Sequence, residues 1–500
     1  MGATLRGGQQ QRQLVKTSPK PVFFNILSGR LGAAPGGFLS PRSGAKRPTS
    51  RLDSSIEAAC AAATLRRMNA PFFAPLRPGF ASRALACWLA LATTAPLHAA
   101  NWPHWRGPTG DGVCAEKSLP VKWSATENVK WRLPLPEPGN STPIVWGNKV
   151  FLTQPDGKAG KHQLLCLDRA TGKQLWKTEV NFAGKEPTHG TNPYSSASPA
   201  TDGERVVVSF ASAGLWCYDL NGKELWHRDL GQQAHIWGNA ASPVLHGGLC
   251  FLNFGPGARS FLVAVDKQTG QTVWQNDESG GDYGEKKPDG KQAWVGSWTT
   301  PVFIQENGRE SLLMSWPGRV CALEPKTGKQ VWECKGINPL VYTSPLHRDG
   351  MVVAMGGFGG KSLAVRTGGR GDVTESHRLW LHPRTKQRIG SGVIHDGHIY
   401  IHNDPGVAEC FELKTGQTVW EERLKGAASN GQNWSSIMLA GGNCYTITQG
   451  GDCFVFQASP QFELVSVNSL GEPSNSSVVP SDGELFIRTH RSLWCIAEKK

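Results

Sequence analysis

From about residue 128 onward, short apolar runs alternate with pairs of turn residues. One unit shows the grammar: Arg205-Val206-Val207-Val208-Ser209-Phe210, then Leu215-Trp216-Cys217-Tyr218, then Glu224-Leu225-Trp226-His227-Arg228, with Asp202-Gly203 and Asn221-Gly222 at the turns. Asp-Gly and Asn-Gly supply the positive φ that tight hairpins require, and the runs between them are β-branched and aromatic. With the opening Ala197-Ser198-Pro199-Ala200, the pattern predicts four short antiparallel strands. The closing phrase, a hydrophobic residue, an acid, a Gly turn and then Trp, recurs as Leu167-Asp168 to Trp176, Tyr218-Asp219 to Trp226, Val265-Asp266 to Trp274, Leu323-Glu324 to Trp332 and Phe411-Glu412 to Trp420. Such recurrence means one supersecondary unit copied along the chain. A unit this small cannot bury both its faces alone, so neighbouring sheets must stack, as in a propeller.

Ser/Thr-Pro or its equivalent opens units at Ser141, Ser198, Ser242, Thr300, Ser344, Ser391, Ser435 and Ser476. The last unit stops after three strands, while Asn128-Val129-Lys130-Trp131-Arg132-Leu133 reads as an orphan fourth strand at the other end. Pairing the two ends would close the ring and remove exposed sheet edges. The expected fold is therefore all-β, an eight-bladed propeller whose last blade is closed by an N-terminal strand. Seven blades is the fallback, because Arg366 to Thr374 replaces the usual turn of the fifth unit. Trp131, Trp176, Trp226, Trp274, Trp332, Trp380 and Trp420 hold equivalent last-strand positions, where large flat rings would fill the space between blades.

Charge changes the picture only by its location. The net charge is +13, yet residues 1–100 hold thirteen Lys and Arg against two acids, leaving 40 bases and 38 acids beyond them. That body offers no basic footprint for nucleic acid. Residues 1–67 read as a disordered leader, or as untranslated sequence if Met68 is the start. Residues 68–100 read as a signal peptide: Arg77 and Arg83, the apolar core 84–92, then small residues to Ala100. Residues 101–127 form an N-terminal extension packed on the propeller at 128–500. The mature chain is expected to be exported, periplasmic or in the cell envelope, a monomer, with no transmembrane segment.

Cysteine usage excludes further chemistry. Cys166, Cys217, Cys321, Cys410, Cys453 and Cys495 fall in third strands, and Cys250 and Cys444 in second strands, so equivalent residues belong to different blades. They read as small buried apolar side chains, while Cys114 and Cys334 lie outside these columns, to pair or stay free. There is no adjacent Cys pair and no Cys-x-x-Cys, so neither covalent haem nor a zinc ribbon is supported.

With these residues in view, the chain resembles the pyrroloquinoline-quinone (PQQ) repeat propeller superfamily, over about residues 101–500. Asn101-Trp102-Pro103-His104-Trp105-Arg106-Gly107-Pro108, Gly369-Arg370-Gly371-Asp372 and Ile487-Arg488-Thr489-His490 are similar to exported PQQ-binding-like repeat proteins of planctomycete type. The resemblance implies the fold, and it spans two activities: quinoprotein dehydrogenases and a non-enzymatic propeller of the outer-membrane assembly machine. For the dehydrogenases it implies PQQ on a vicinal disulfide, Ca2+ held by Glu, Asn and Asp, and an Asp base. This sequence has no vicinal cysteines and no recognisable acidic cluster for calcium.

Segments entering each first strand, and loops between second and third strands, emerge on one face. They bring there His189, Asn192 and Tyr194, then His235, Trp237 and Asn239, then Trp294, Trp298 and Tyr342, then Asn433, Trp434 and Asn475. The cations Arg259, Arg319, Arg388 and Arg491 join them. Aromatic rings interleaved with amides around one axis suit a polar ligand pocket, carbohydrate-like or peptide, whereas a carboxylated ligand would need the arginines. The expected function is a non-catalytic exported propeller that binds a protein or polar ligand at this funnel face, with no metal site and no cofactor. The alternative is a PQQ-dependent oxidoreductase of alcohol or sugar dehydrogenase type using PQQ and Ca2+. No catalytic residue is recognisable.

Overall fold

The computed structural model describes residues 101–498, except 183–185, 258, 279–282, 287–291, 307, 384 and 429–430, and describes only the backbone of 283–286 and 292–294. The predicted leader and signal peptide lie outside the described residues.

Eight small antiparallel sheets follow one another as blades: 144–181, 200–228, 244–278, 302–335, 346–382, 393–423, 438–469 and 479–497. The eighth supplies three strands, and its outer strand is Val129–Pro134, paired antiparallel with Ser492–Ala497 so that Trp131 faces Cys495. The fifth blade is a full four-stranded sheet. Its irregular turn instead reaches back to the fourth blade, where Gly371–Asp372 adds a parallel strand beside Trp332 and Glu333.

Hydrogen bonds close the ring at its inner edge. The backbone N–H of Thr142 donates to the Ser198 hydroxyl (2.9 Å), Ser198 to Ser242 (3.0 Å), Ser242 to Thr300 (3.2 Å) and Thr300 to Ser344 (3.0 Å). Ser344 donates to Ser391 (3.0 Å), Ser391 to Ser436 (2.9 Å), Ser436 to Ser477 (3.0 Å), and Ser477 back to Thr142 (3.2 Å). Each blade thus satisfies a buried amide of its neighbour. Five of these residues are the predicted openings. In the others the ring hydroxyl belongs to the next residue, because Ser141-Thr142, Ser435-Ser436 and Ser476-Ser477 each offer two candidates and only one points along the ring.

The outer edge closes differently. Each strand-three to strand-four pairing shifts register at the equivalent place, as between Cys166 and Leu167 or Ala264 and Val265. Beside this bulge the tryptophan faces a small residue: Cys166, Cys217, Ala264, Ala322, Ala364, Cys410 or Cys495. Its indole then reaches the next blade. Nε1 of Trp131, Trp176, Trp226, Trp274, Trp380 and Trp420 donates to the carbonyls of Arg169, Leu220, Lys267, Pro325, Leu413 and Ser459. The ring lies over the turn glycine of that blade: a Cβ at Gly328 would sit 2.6 Å from Trp274, and φ there is +71°.

The apolar interior follows the seams. Six clusters each join one pair of neighbouring blades, and a seventh joins blades seven, eight and one with the N-terminal extension. All ten cysteines of the described residues are free thiols, nine of them buried, and burial pushes their pKa upward. Cys114 and Cys334 do not pair.

The extension crosses the channel at the end opposite the funnel. Trp102 exchanges both backbone bonds with Val145 of blade one, and Pro103 accepts from Thr201 of blade two. Val113–Cys114 then lies parallel on the inner strand of blade seven. Arg106 anchors the crossing. Its guanidinium donates to the carbonyls of Ser391 (3.3 Å), Gly392 (2.5 Å), Ile437 (3.2 Å) and Asp111 (2.5 Å), and burial lowers its pKa to about 10.

Candidate functional site

Because the extension seals one end, the channel becomes a blind cup of about 260 Å³ opening on the funnel face. Its floor is Trp105, together with the ring hydroxyls of Thr142, Ser198, Ser242, Thr300 and Ser477. A second cavity, of about 560 Å³, lies on the other side of that floor and shares only Trp105 and Thr300 with the cup.

The segments entering blades three to five build an aromatic wall. Trp298 is fixed twice, its backbone N–H donating to Val341 and its indole N–H to Gly238 (2.9 Å), so its ring is presented sideways. Trp237 stands 6.0 Å from it and Tyr342 5.0 Å, with Phe358 5.6 Å from Tyr342 and 5.9 Å from Trp237. Gly357 permits this packing, since a Cβ there would sit 2.3 Å from the Tyr342 ring. Phe358 remains 47% exposed at the rim.

The segments entering blades eight, one and two build an amide wall. Asn475 and Asn140 both donate to the Thr191 carbonyl, at 3.1 and 2.7 Å, and their buried Oδ1 atoms have no protein partner. Asn192 donates to the Trp237 carbonyl (2.7 Å), tying the two walls together. Trp434 and Ile389 complete the circle, and exposed His189 stands at the rim with its ring bonded to the Thr191 hydroxyl (2.7 Å).

Of the residues singled out by sequence, His189, Asn192, Trp237, Trp298, Tyr342, Trp434 and Asn475 line the cup. Five neighbours point into the scaffold instead. His235 is buried edge-on behind Trp298, 5.0 Å away, and burial lowers its pKa to about 4. Tyr194 donates to the Glu186 carbonyl, Asn239 to the Gly255 carbonyl, and Asn433 to His402 and Ser435. Arg388 is buried against Glu409 (3.1 Å) and the Ser362 hydroxyl. The remaining arginines are occupied elsewhere. Arg319 forks onto both carboxylate oxygens of Glu278 at 2.7 Å, Arg259 bonds the Leu230 carbonyl, and Arg491 the Gly471 carbonyl. The Trp294 side chain lies outside the described residues.

Sequence reasoning missed Trp105, Asn140, Phe358 and Ile389. Trp105 belongs to a motif already noted, but only the fold brings it to the channel axis.

Among the described residues, no Asp, Glu, Lys or Arg lines the cup, and no three His, Cys, Asp or Glu side chains gather as a metal site. Asp404 lies behind Trp434, accepting from Gln387 (3.1 Å) and Gln432 (3.5 Å), with its pKa raised by burial. The lining can therefore stack rings and exchange neutral hydrogen bonds. The one hydroxyl paired with an imidazole there is that of Thr191, bonded to exposed His189 at the rim, and among the described residues no carboxylate bonds that ring to orient it as a base.

Comparison with known proteins places this architecture. The chain is 23% identical over 291 residues to an outer membrane protein assembly factor BamB of Burkholderia pseudomallei, covering 57% of this chain and 66% of that protein. It spans between 34% and 66% of the length of the curated relatives it matches. In fold it is similar to BamB from Moraxella catarrhalis (TM-score 0.52, 14% identity, 74% of this chain and 97% of that one). It is also similar to a quinohemoprotein alcohol dehydrogenase from Comamonas testosteroni (TM-score 0.58, 12% identity, 80% and 81%). Matches to one family over residues 158–286 and 262–500 span well over half of the sequence, and the chain belongs to that PQQ-repeat propeller family, described as outer membrane protein assembly factor BamB.

Proposed function

We propose that this protein is a non-catalytic binding propeller of the cell envelope, and that it takes an uncharged ligand or an uncharged part of a protein partner into the blind cup. The observation that carries the reading is the lining itself: six aromatic side chains, amides and hydroxyls, with His189 at the rim and no Asp, Glu, Lys or Arg among the described residues. Desolvating an unpaired charge there would be costly, whereas neutral polar groups would find partners.

The quinoprotein reading is less well supported by the same lining. PQQ carries carboxylates, and the arginines adjoining the lining in sequence are committed elsewhere, Arg388 to Glu409 and Arg106 to four backbone carbonyls, while Arg319 is held by Glu278. The described residues also offer no carboxylate group suited to calcium. The likeness to the Comamonas dehydrogenase concerns the fold, and fold does not carry function. The assembly-factor relatives favour a protein as partner and export as the destination; we further propose that the chain acts as a monomer.

Native mass spectrometry of the full chain after incubation with the small-molecule fraction of an envelope extract tests the reading. A neutral adduct that the Trp298→Ala variant loses is expected. An adduct bound equally by that variant, or one that is an anionic cofactor, would overturn it.

A further inference from the structure

We infer that the cup receives the terminal ring of a neutral saccharide, an inference that rests on the proposed use of the cup as a binding site. Three features of the lining converge on that chemistry. The first is the aromatic corner: Trp298 and Tyr342 lie 5.0 Å apart at 54°. Aromatic faces carry negative charge density and the C–H groups of a pyranose face are weakly positive, so a sugar ring packs on such a face while its hydroxyls project outward.

The second feature is a pair of pre-set acceptors. Asn140 and Asn475 spend their NH2 groups on the same carbonyl, that of Thr191, which fixes both amides and leaves both Oδ1 atoms unpartnered, as is the Tyr342 hydroxyl. Buried acceptors of this kind are stabilised by a donor from the ligand. The third feature is the floor. A ring hydroxyl such as that of Ser198 or Ser242 already accepts from a neighbouring amide, so what it can offer inward is its O–H. Donors below, acceptors on one wall and apolar faces on the other match a polyol, which needs all three.

Other ligand classes meet an obstacle. An apolar ligand would leave the amide oxygens unpaired. A peptide strand is captured through free backbone groups of a sheet edge, and here the inner-edge amides are spent on the closed Ser/Thr ring. The cup volume of about 260 Å³ falls just below the usual range of small-molecule pockets, roughly 300–1,000 Å³, so it holds a chain end and not a whole oligomer.

The test is calorimetric titration of the full chain with maltose, cellobiose and N,N′-diacetylchitobiose, alongside digalacturonate and a neutral aromatic peptide. The inference expects saturable binding of at least one neutral disaccharide, and binding of digalacturonate about tenfold weaker or worse. It further expects a loss of about tenfold or more in Trp298→Ala. In Tyr342→Phe, which removes one oxygen and keeps the packing, the loss should be roughly two- to tenfold. If only the peptide binds, and Trp298→Ala abolishes it, the saccharide inference is overturned while the cup remains a binding site. If neither variant changes the binding of any probe, or no probe binds, both readings fall.

Discussion

At the scale of single residues, the repeat is a device for letting one indole reach the next blade. A small residue opposite it, a bulge beside it and a glycine beyond it make room in turn, which is why the position facing each tryptophan holds only Cys or Ala, as at Cys166, Cys217 and Ala264. Trp274 is buried, with its N–H on the Pro325 carbonyl at 2.8 Å and its ring against Gly328. Trp274→Ala is expected to cost about 3–5 kcal/mol, as core aromatic truncations do. Gly328→Ala is expected to cost about 1–3 kcal/mol, because it combines a positive φ with a clash. Urea midpoints at constant slope check both. This level was legible in sequence, since Asp, Gly and Trp sit a few residues apart. Which side of a segment faces the cup was not: His235 and Trp237 are two positions apart, yet one is buried behind the other. The fate of Arg388 depended on Glu409, a partner in a neighbouring strand that spacing alone does not identify.

At the scale of elements, the extension determines whether the channel is a tunnel or a cup. Its hold depends on Arg106, whose guanidinium reaches carbonyls on residues 285 to 331 positions away without a buried carboxylate for partner. A lysine has neither the fork nor the reach to satisfy four carbonyls. Arg106→Lys is therefore expected to raise hydrogen exchange in residues 101–114 while leaving the outer strands of the blades unchanged. Uniform protection in the variant would show that the segment is held by other contacts. The closing strand Val129–Pro134 was readable because it carries the same Trp as the outer strands of blades one to six. The plug was not, because Trp105 and Arg106 belong to no repeat and their contacts cross most of the chain.

At the scale of the whole molecule, the ring has two closures, the Ser/Thr belt inside and the tryptophan seams outside, and most of its histidines near the axis are buried. Burial holds His104, His162 and His235 at a pKa of about 4 and His402 at about 3. Unfolded histidine titrates near 6.5. The unfolded chain therefore takes up protons that the folded one refuses, so stability is complete above about pH 6.5 and declines as the pH falls toward 4. For His162, 3% exposed, this amounts to on the order of 3 kcal/mol at the acid end. Thermal midpoints are expected to be level from pH 8 to 7 and to fall below 6.5, and His402→Gln should flatten that fall. A midpoint unchanged down to pH 5 would contradict it.

The most direct test of the central claim, a binding propeller without catalysis, is titration of the purified full chain with PQQ and calcium, followed by absorbance and by dye-linked oxidation of alcohols and sugars. The uncharged lining and the committed arginines predict neither stoichiometric uptake at micromolar cofactor nor turnover. Stoichiometric binding accompanied by oxidation would contradict the account and make the cup a dehydrogenase site.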